Sequence, residues 1–421
     1  MTNVVIASPV ATQSGYGHHA REVISQLIAH KNLEWNIKLV SLPWGHTPFT
    51  FPLSDEIKSR IIPLPLSNQP DIWVQITVPN EFQPVGKINI GVTAGTEGDV
   101  CPPEWIDRLN SMNMIIVPTN FTKQVFEKTA HDHNKPLTTK IYVIPEYFNE
   151  TIYNGTYESM ISELDDIPET FAYLTVGHWL QGQLGEDRKN ISGAVYSFFE
   201  AFKNKKTQPA LILKTSGATY SITDRLEIER KLQQIKNLYK KTDRLPNVYI
   251  LHGDLTDKQM NSLYMHPKIK AMYSLTKAEG FGRPLLEFST TAKPIIAPHY
   301  SGQSDFLKKD FICSINGKLT EIHPSAQNEF LIKNAKWFTA DYNHAVHCLR
   351  EVNSNYKTWL ELAKRQRFFA KSNFNDVAVT KIFSNFINDL DLLLDSIPKP
   401  VELKLPSLNK LQLPKLQKIE E

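Results

Sequence analysis

Short apolar runs alternate with helix-period segments along nearly the whole chain, and they do so in two successive series. A strand buried on both faces reads as a continuous apolar run, and its parallel neighbour is reached only through a long crossover, usually a helix. The pattern therefore calls for parallel sheets covered by helices, an α/β architecture. In the first series strands are expected at Val4–Ser8, Ile37–Leu42, Ile72–Thr77, Lys87–Thr93, Met114–Pro118 and Ile141–Ile144, with helices at His18–Ala29, Glu104–Asn110 and Thr122–Ala130. The stretch Asn149–Glu169, rich in acidic, Asn and Pro residues, loses the pattern and reads as a linker. The second series places strands at Ala172–Val176, Ala210–Lys214, Val248–His252, Ala271–Ser274 and Pro294–Ala297. Its helices are expected at Ile191–Phe202, Asp224–Lys240, Asp257–His266 and Pro284–Thr291. Helical material follows at Tyr342–Arg350, Asn355–Lys371 and Val377–Leu394, and a Pro/Lys/Leu-rich stretch from Pro398 to Glu421 reads as disordered or draped on the surface. A length of 421 residues exceeds what one core supports, roughly 250–300 residues. The division is two Rossmann-like domains at 1–160 and 161–372, a crossover helix at 373–397 and a tail at 398–421.

Composition narrows the class. A hydrophobic fraction of 41% and a charged fraction of 22% suit a soluble globular protein, and a net charge of +3 announces neither a nucleic acid nor a membrane partner. No segment approaches the ~20 apolar residues that span a bilayer. The run Met1–Val10 has no basic flank and reads as a buried first strand rather than a signal peptide. Cys101, Cys313 and Cys348 are scattered and match no metal-ligand spacing, which implies reduced thiols in a cytoplasm, the host's if the chain is viral. The sequons at Asn120, Asn149, Asn154 and Asn190 then carry no weight.

One motif carries chemistry. Glu279 and Glu287 bracket Gly280, Phe281, Gly282, Arg283, Pro284, Leu285 and Leu286, after an expected strand and at the opening of an expected helix. Proline suits the first helical turn, glycines let the backbone approach a ligand, and a helix N-terminus offers N–H groups and a positive dipole end to an anion such as a diphosphate. Glu287, about one turn into the helix, is placed to accept hydrogen bonds from a vicinal diol such as a ribose. A Gly-Pro turn that merely starts a helix is the plain alternative. Lys214 ends an expected strand beside the same crevice; a solvated strand-end lysine is the other reading of it.

The Glu279–Glu287 segment resembles the donor-site signature of the retaining GT-B glycosyltransferases of family 4 (glycosyl transferases group 1), two Rossmann-like domains with a central cleft. The resemblance implies that Glu279 contacts the transferred sugar and Glu287 the nucleotide ribose. Val176-Gly177-His178, with Arg188-Lys189-Asn190 downstream, resembles the segments that bind the donor phosphates; His178 stands where many members have arginine, and Asn190 replaces the usual glycine. Ser14-Gly15-Tyr16-Gly17 resembles the N-terminal glycine loop. Gly95-Thr96-Glu97-Gly98-Asp99, Pro103-Glu104-Trp105 and Val117–Phe121 resemble the acceptor-domain run. By this resemblance the catalytic residues are Glu279, Lys189 and Arg188. The donor is bound by Glu287, Gly280, Phe281, Gly282, Arg283, His178, Gly15 and Gly17, and Lys214 is added to them by its strand-end position alone. The acceptor is met by Tyr16, His18, His19, Glu97 and Asp99 in the first domain. The implied reaction moves a hexose or pentose from a nucleotide diphosphate sugar, preferably a UDP-sugar, to a hydroxyl with retention. It uses neither metal nor cofactor. A glycan or lipid-linked glycan is the default acceptor, and a modified base of viral DNA is the alternative. A non-catalytic nucleotide-sugar-binding protein is the rival of another class.

Other motifs lose. Gly15-Tyr16-Gly17-His18-His19-Ala20 fits the dinucleotide pattern G-x-G-x-x-A, but the second strand ends at Leu42 without the acid that holds an adenosine ribose. Asp389 and Asp391 lie two residues apart on an amphipathic helix, about 200° around its axis, so they cannot share an ion; a solvated face is expected. His131 and His133 sit in a polar loop with no third metal ligand evident.

Overall fold

The structure, a computed structural model, describes residues 1–397 except 32, 46, 180, 181 and 218. The tail at 398–421 therefore lies outside the described residues. Two six-stranded sheets, all of whose pairings are parallel, form the frame. The first contains β1 (Thr2–Ser8), β2 (Trp35–Ser41), β3 (Ile72–Ile76), β4 (Ile88–Val92), β5 (Met114–Val117) and β6 (Lys140–Val143) in the order β2-β1-β3-β4-β5-β6. Its helices are α1 (Gly15–Lys31), a short α2 (Asp55–Ser59), α3 (Glu104–Asn110) and α4 (Asn120–Asp132). The second sheet contains β7 (Ala172–Val176), β8 (Ala210–Lys214), β9 (Val248–Leu251), β10 (Ile269–Tyr273), β11 (Ile295–Pro298) and β12 (Cys313–Ile315), ordered β12-β11-β10-β7-β8-β9. With it go α5 (Ile191–Phe202), α6 (Ile222–Lys236), α7 (Asp257–Met265) and α8 (Arg283–Ser289). A separate antiparallel pair, β13 (Gly317–Glu321) and β14 (Lys336–Ala340), precedes α9 (Tyr342–Ser354), α10 (Tyr356–Asn373) and α11 (Asp376–Asp395).

Strands such as β3 and β4 are buried at every residue, which is why they read as unbroken apolar runs. Local chemistry fixes the helix starts. Ser14 Oγ accepts the Gly17 N–H at 2.9 Å, Thr119 caps α4 through the Thr122 N–H, and Thr256 with Gln259 forms a capping box on α7. Gly17 has no alternative, because a Cβ there would stand 2.3 Å from the Thr12 carbonyl oxygen.

The stretch read as a linker is packed instead. Tyr153, Ile161, Leu164 and Ile167 are buried in the core of the second sheet, together with Phe148. Their irregular spacing fits neither helix nor strand period, so the pattern hid them. At the other end, α11 lays Val379, Phe383, Phe386, Ile387 and Leu390 on the first sheet's core, beside Ile24 and Leu27 of α1. Each such buried side chain contributes about 1.5–3 kcal/mol. The outer face of α11 is not merely solvated. Asp389 pairs with Lys140 at 2.5 Å and accepts the Tyr142 hydroxyl, while Asp391 pairs with Lys31 at 2.8 Å, so the two carboxylates serve different cations. The three cysteines are buried free thiols. No helix among the described residues is long and apolar enough to cross a membrane.

Candidate active site

The carboxyl ends of the two sheets face each other. Thr119, just past β5, donates its hydroxyl to the Gly280 carbonyl, past β10, at 2.9 Å. Asp305 accepts the Asn120 N–H at the start of α4 at 2.8 Å. The turn from β10 into α8 is shaped by its glycines. Gly282 has φ of 100°, a left-handed conformation that costs a residue with a Cβ. At Gly280 an added Cβ would lie 2.8 Å from the Ala94 carbonyl oxygen, so its close approach is to the first domain. Phe281 turns away from the cleft and packs on Phe306 in the core, 5.1 Å between ring centroids.

Glu279 is the centre of the charge network. Lys189 Nζ donates to its two oxygens at 2.6 and 2.8 Å, Arg188 Nη1 to Oε2 at 3.2 Å, and Thr276 Oγ1 to Oε1 at 2.6 Å. Ser301 Oγ accepts the Glu279 N–H. Burial raises the carboxyl's pKa, but Lys189 and Arg188 outweigh it and bring it down to about 2. Burial lowers Lys189, with Glu279 opposing. Arg188 also reaches across the cleft to Glu97 at 3.3 Å. His178, bonded to Ser216 at 3.1 Å, is lowered to about 4 by burial and then by Lys189, Arg188 and Lys214. It therefore stands beside the cations as a neutral ring at pH 7. Lys214 donates to the Gly253 carbonyl at 2.7 Å, and burial lowers its pKa.

Within α8, Glu287 is buried and accepts the Tyr264 hydroxyl at 3.1 Å. Burial raises it to about 7; Asp257 adds to the rise while Arg283, Tyr264 and Tyr153 oppose it. Arg283 does not face the cations' cleft. It binds Glu22 at 2.5 Å, Glu146 at 2.8 Å and the Tyr147 carbonyl at 3.2 Å, all in the first-domain half, and lies 3.9 Å from Glu287. Three buried carboxyls share one guanidinium, and burial pushes Glu22 upward.

The residues assigned to the acceptor are distributed differently. Tyr16 stacks on Trp44, and its hydroxyl bonds Thr93 Oγ1 and the Ala94 N–H, both at 3.0 Å. Asp99 accepts from the Lys336 N–H at 2.6 Å and from Lys128 Nζ at 2.6 Å, so both oxygens are engaged. His19 is buried, and its Nδ1 has no hydrogen-bond partner among the described residues. His18 lies edge-on to Phe51 and is held well below its ordinary pKa by burial. Around Gly15 there is open space. Thr276, Ser301, Glu22 and Glu146 escape sequence reasoning: each is an ordinary polar residue in a loop or on a helix, without motif spacing. Among the described residues no group of three or more His, Cys, Asp or Glu is arranged to hold a metal ion; His131 pairs only with its neighbour Asp132.

Two Rossmann-like domains meeting at the carboxyl ends of their strands, with the last helix returning to the first, constitute the GT-B fold, and solved structures of that fold align with most of this chain. HepE of Anabaena, solved with UDP and glucose, superposes with a TM-score of 0.57 at 12% identity, covering 92% of this chain and 100% of its own. The sucrose-phosphate synthase of Thermosynechococcus elongatus gives 0.60 at 13% identity, covering 93% and 100%. A UDP-forming α,α-trehalose-phosphate synthase from Burkholderia xenovorans gives 0.60 at 10% identity, covering 93% and 99%. No family model matches the chain, and no curated protein matches it in sequence.

Proposed function

We infer that this chain is a glycosyltransferase that moves a sugar from a nucleotide diphosphate donor, preferably a UDP-sugar, to a hydroxyl acceptor. The observation that carries the reading is the convergence of Lys189, Arg188 and Thr276 on Glu279, with Glu287 on the adjoining helix. The fold shared with UDP-bound HepE supports the same reading. Negative charge builds on the departing nucleoside diphosphate, and fixed cations stabilise it without reorganising. Lys189 and Arg188 pair with Glu279. An arriving diphosphate competes for them, and the carboxylate they release is left to meet the sugar hydroxyls. Glu287 would hold the ribose.

The reaction in this reading retains configuration and needs neither metal nor cofactor, because Lys189 and Arg188 supply the positive charge. A carboxylate held at about 2 is a weak base near pH 7, so Glu279 is not assigned to deprotonate the acceptor. The leaving phosphate takes that proton on the same face. The acceptor, a glycan or lipid-linked glycan, approaches from the first domain near Gly15 and His18. The test is a panel of UDP-, GDP- and ADP-sugars scored for binding and slow hydrolysis, followed by oligosaccharide acceptors beside hydroxymethylated duplex DNA at low and moderate salt. Transfer to glycans and none to DNA is the expected outcome. Failure to bind any nucleotide sugar would contradict the reading.

A further inference from the structure

Residues 317–340, between β12 and α9, take no part in the chemistry described above, yet they touch both domains. β13 and β14 pair antiparallel from Gly317↔Ala340 to Glu321↔Lys336. The chain between them closes on a small core of its own, in which Ile322, Leu331, Ala335 and Trp337 pack with Ala278, the neighbour of Glu279.

Toward the first domain, the Asp99 N–H donates to the Lys336 carbonyl at 2.8 Å, and the Lys336 N–H donates to Asp99 Oδ1 at 2.6 Å. Thr96 Oγ1 donates to the Phe330 carbonyl at 3.0 Å, and the Phe330 ring lies 6.0 Å from that of Trp105. Gly98 fits so tightly that a Cβ there would stand 3.0 Å from Ala335 Cβ. Toward the second domain, the Phe338 N–H donates to the Lys277 carbonyl at 3.1 Å, and Lys277 Nζ lies 4.4 Å from the Trp337 ring centroid. Lys277 in turn holds the loop 185–188: its N–H donates to the Arg188 carbonyl at 2.8 Å and its Nζ to the Gly185 carbonyl at 2.5 Å. Ser325 Oγ donates to Glu186 on the same loop at 3.2 Å.

Glu97 sits between the two anchored residues Thr96 and Asp99, and it is Glu97 that meets Arg188 across the cleft at 3.3 Å. We propose that residues 317–340 form a strap that positions the loop 95–99 for transfer, with Thr96, Asp99 and Phe330 as positioning residues that hold Glu97 against Arg188. Asp99 is then a tie between domains and not a ligand of the acceptor. The kinetic consequence rests on the glycosyltransferase reading; the structural consequence does not.

The experiment uses the full chain and the variants Phe330→Ala, Thr96→Val, Asp99→Ala and Asp99→Asn. Amide hydrogen exchange is followed over 95–99 and over α8, beside turnover of the UDP- and GDP-sugar panel. Exchange over 95–99 should quicken about tenfold in Asp99→Ala and Phe330→Ala while α8 stays unchanged. For whichever nucleotide sugar the native chain turns over, kcat should fall about tenfold to hundredfold with donor KM little altered. Asp99→Asn keeps an oxygen for the Lys336 N–H, gives up only the partly exposed pair with Lys128, and should restore most of both readouts, which a charged acceptor ligand at that position would not allow. Unchanged exchange over 95–99 in Asp99→Ala and Phe330→Ala overturns the strap, as does an exchange increase spread equally over α8. If the native chain turns over no nucleotide sugar, the enzymatic reading fails while the exchange result still decides the strap.

Discussion

Lys189 and Glu279 lie 90 residues apart in sequence and meet at 2.6 Å, so the cation proposed for the diphosphate rests on the carboxylate proposed for the sugar. The two groups, with Arg188, store opposite charges that a donor would separate. This makes the effect of removing either one directional.

Glu279→Gln removes the charge that competes with the diphosphate for Lys189 and Arg188. Bare UDP should bind as tightly as to the native chain or more tightly, while turnover drops about a hundredfold or more. Calorimetric titration with UDP and a turnover assay check the two halves. A variant that loses UDP affinity in proportion to its turnover would show that Glu279 serves the nucleotide instead.

With Glu287 proposed for the ribose, binding should depend on pH. The pKa of Glu287 is raised to about 7, mainly by burial, and only the ionised form accepts two ribose hydrogen bonds freely. UDP affinity should therefore fall as pH drops from 8 to 6. Glu287→Gln should flatten that profile, and Glu287→Ala should cost about 1.5–3 kcal/mol of binding at pH 8. A native profile that is flat between pH 6 and 8 contradicts the assignment.

Arg283→Met leaves Glu22, Glu146 and Glu287 buried without their cation. Breaking a buried ion pair from one side costs about 3–5 kcal/mol. Glu22 and Glu287 have folded pKa values raised above their ordinary ones, so the stability they contribute is present at low pH and is lost as pH rises through the folded values. Without Arg283 those values climb further, so the loss should be largest at pH 8 and shrink toward pH 5. Denaturant melts at both pH values measure it. A pH-independent loss would mean that Arg283 acts through packing alone.

Much of this fold was legible because most strands of its two parallel sheets are largely buried. Ala172–Val176, Ala210–Lys214 and Ile191–Phe202 have in the structure the bounds that their apolar runs define. β13 was not legible: four of its five residues are exposed, and its partner β14 lies beyond a long connection, so neither period nor turn chemistry marked the pair. At the site, spacing located Glu279 on the turn before α8, Glu287 on α8 itself, and Arg188 with Lys189 on another loop. It said nothing of which side chains face inward. Phe281 went to the core, Arg283 to the first domain and Asp99 to the strap, because side-chain direction there is decided by contacts between domains that no local pattern encodes.

Chelation separates the proposed electrostatics from metal-assisted departure. With Lys189 and Arg188 carrying the charge, turnover in excess EDTA should stay within about twofold of that in magnesium or manganese. Loss of activity in EDTA with recovery on adding either ion would assign the leaving group to a metal.

The most direct test of the central claim is Lys189→Ala, assayed for donor breakdown and for binding of uridine beside UDP. If Lys189 stabilises the departing diphosphate, turnover should fall about a hundredfold to a thousandfold, UDP should bind more weakly, and uridine, which has no phosphates, should bind as it does to the native chain. Turnover within about twofold of the native chain, with UDP affinity unchanged in a folded variant, would contradict the account.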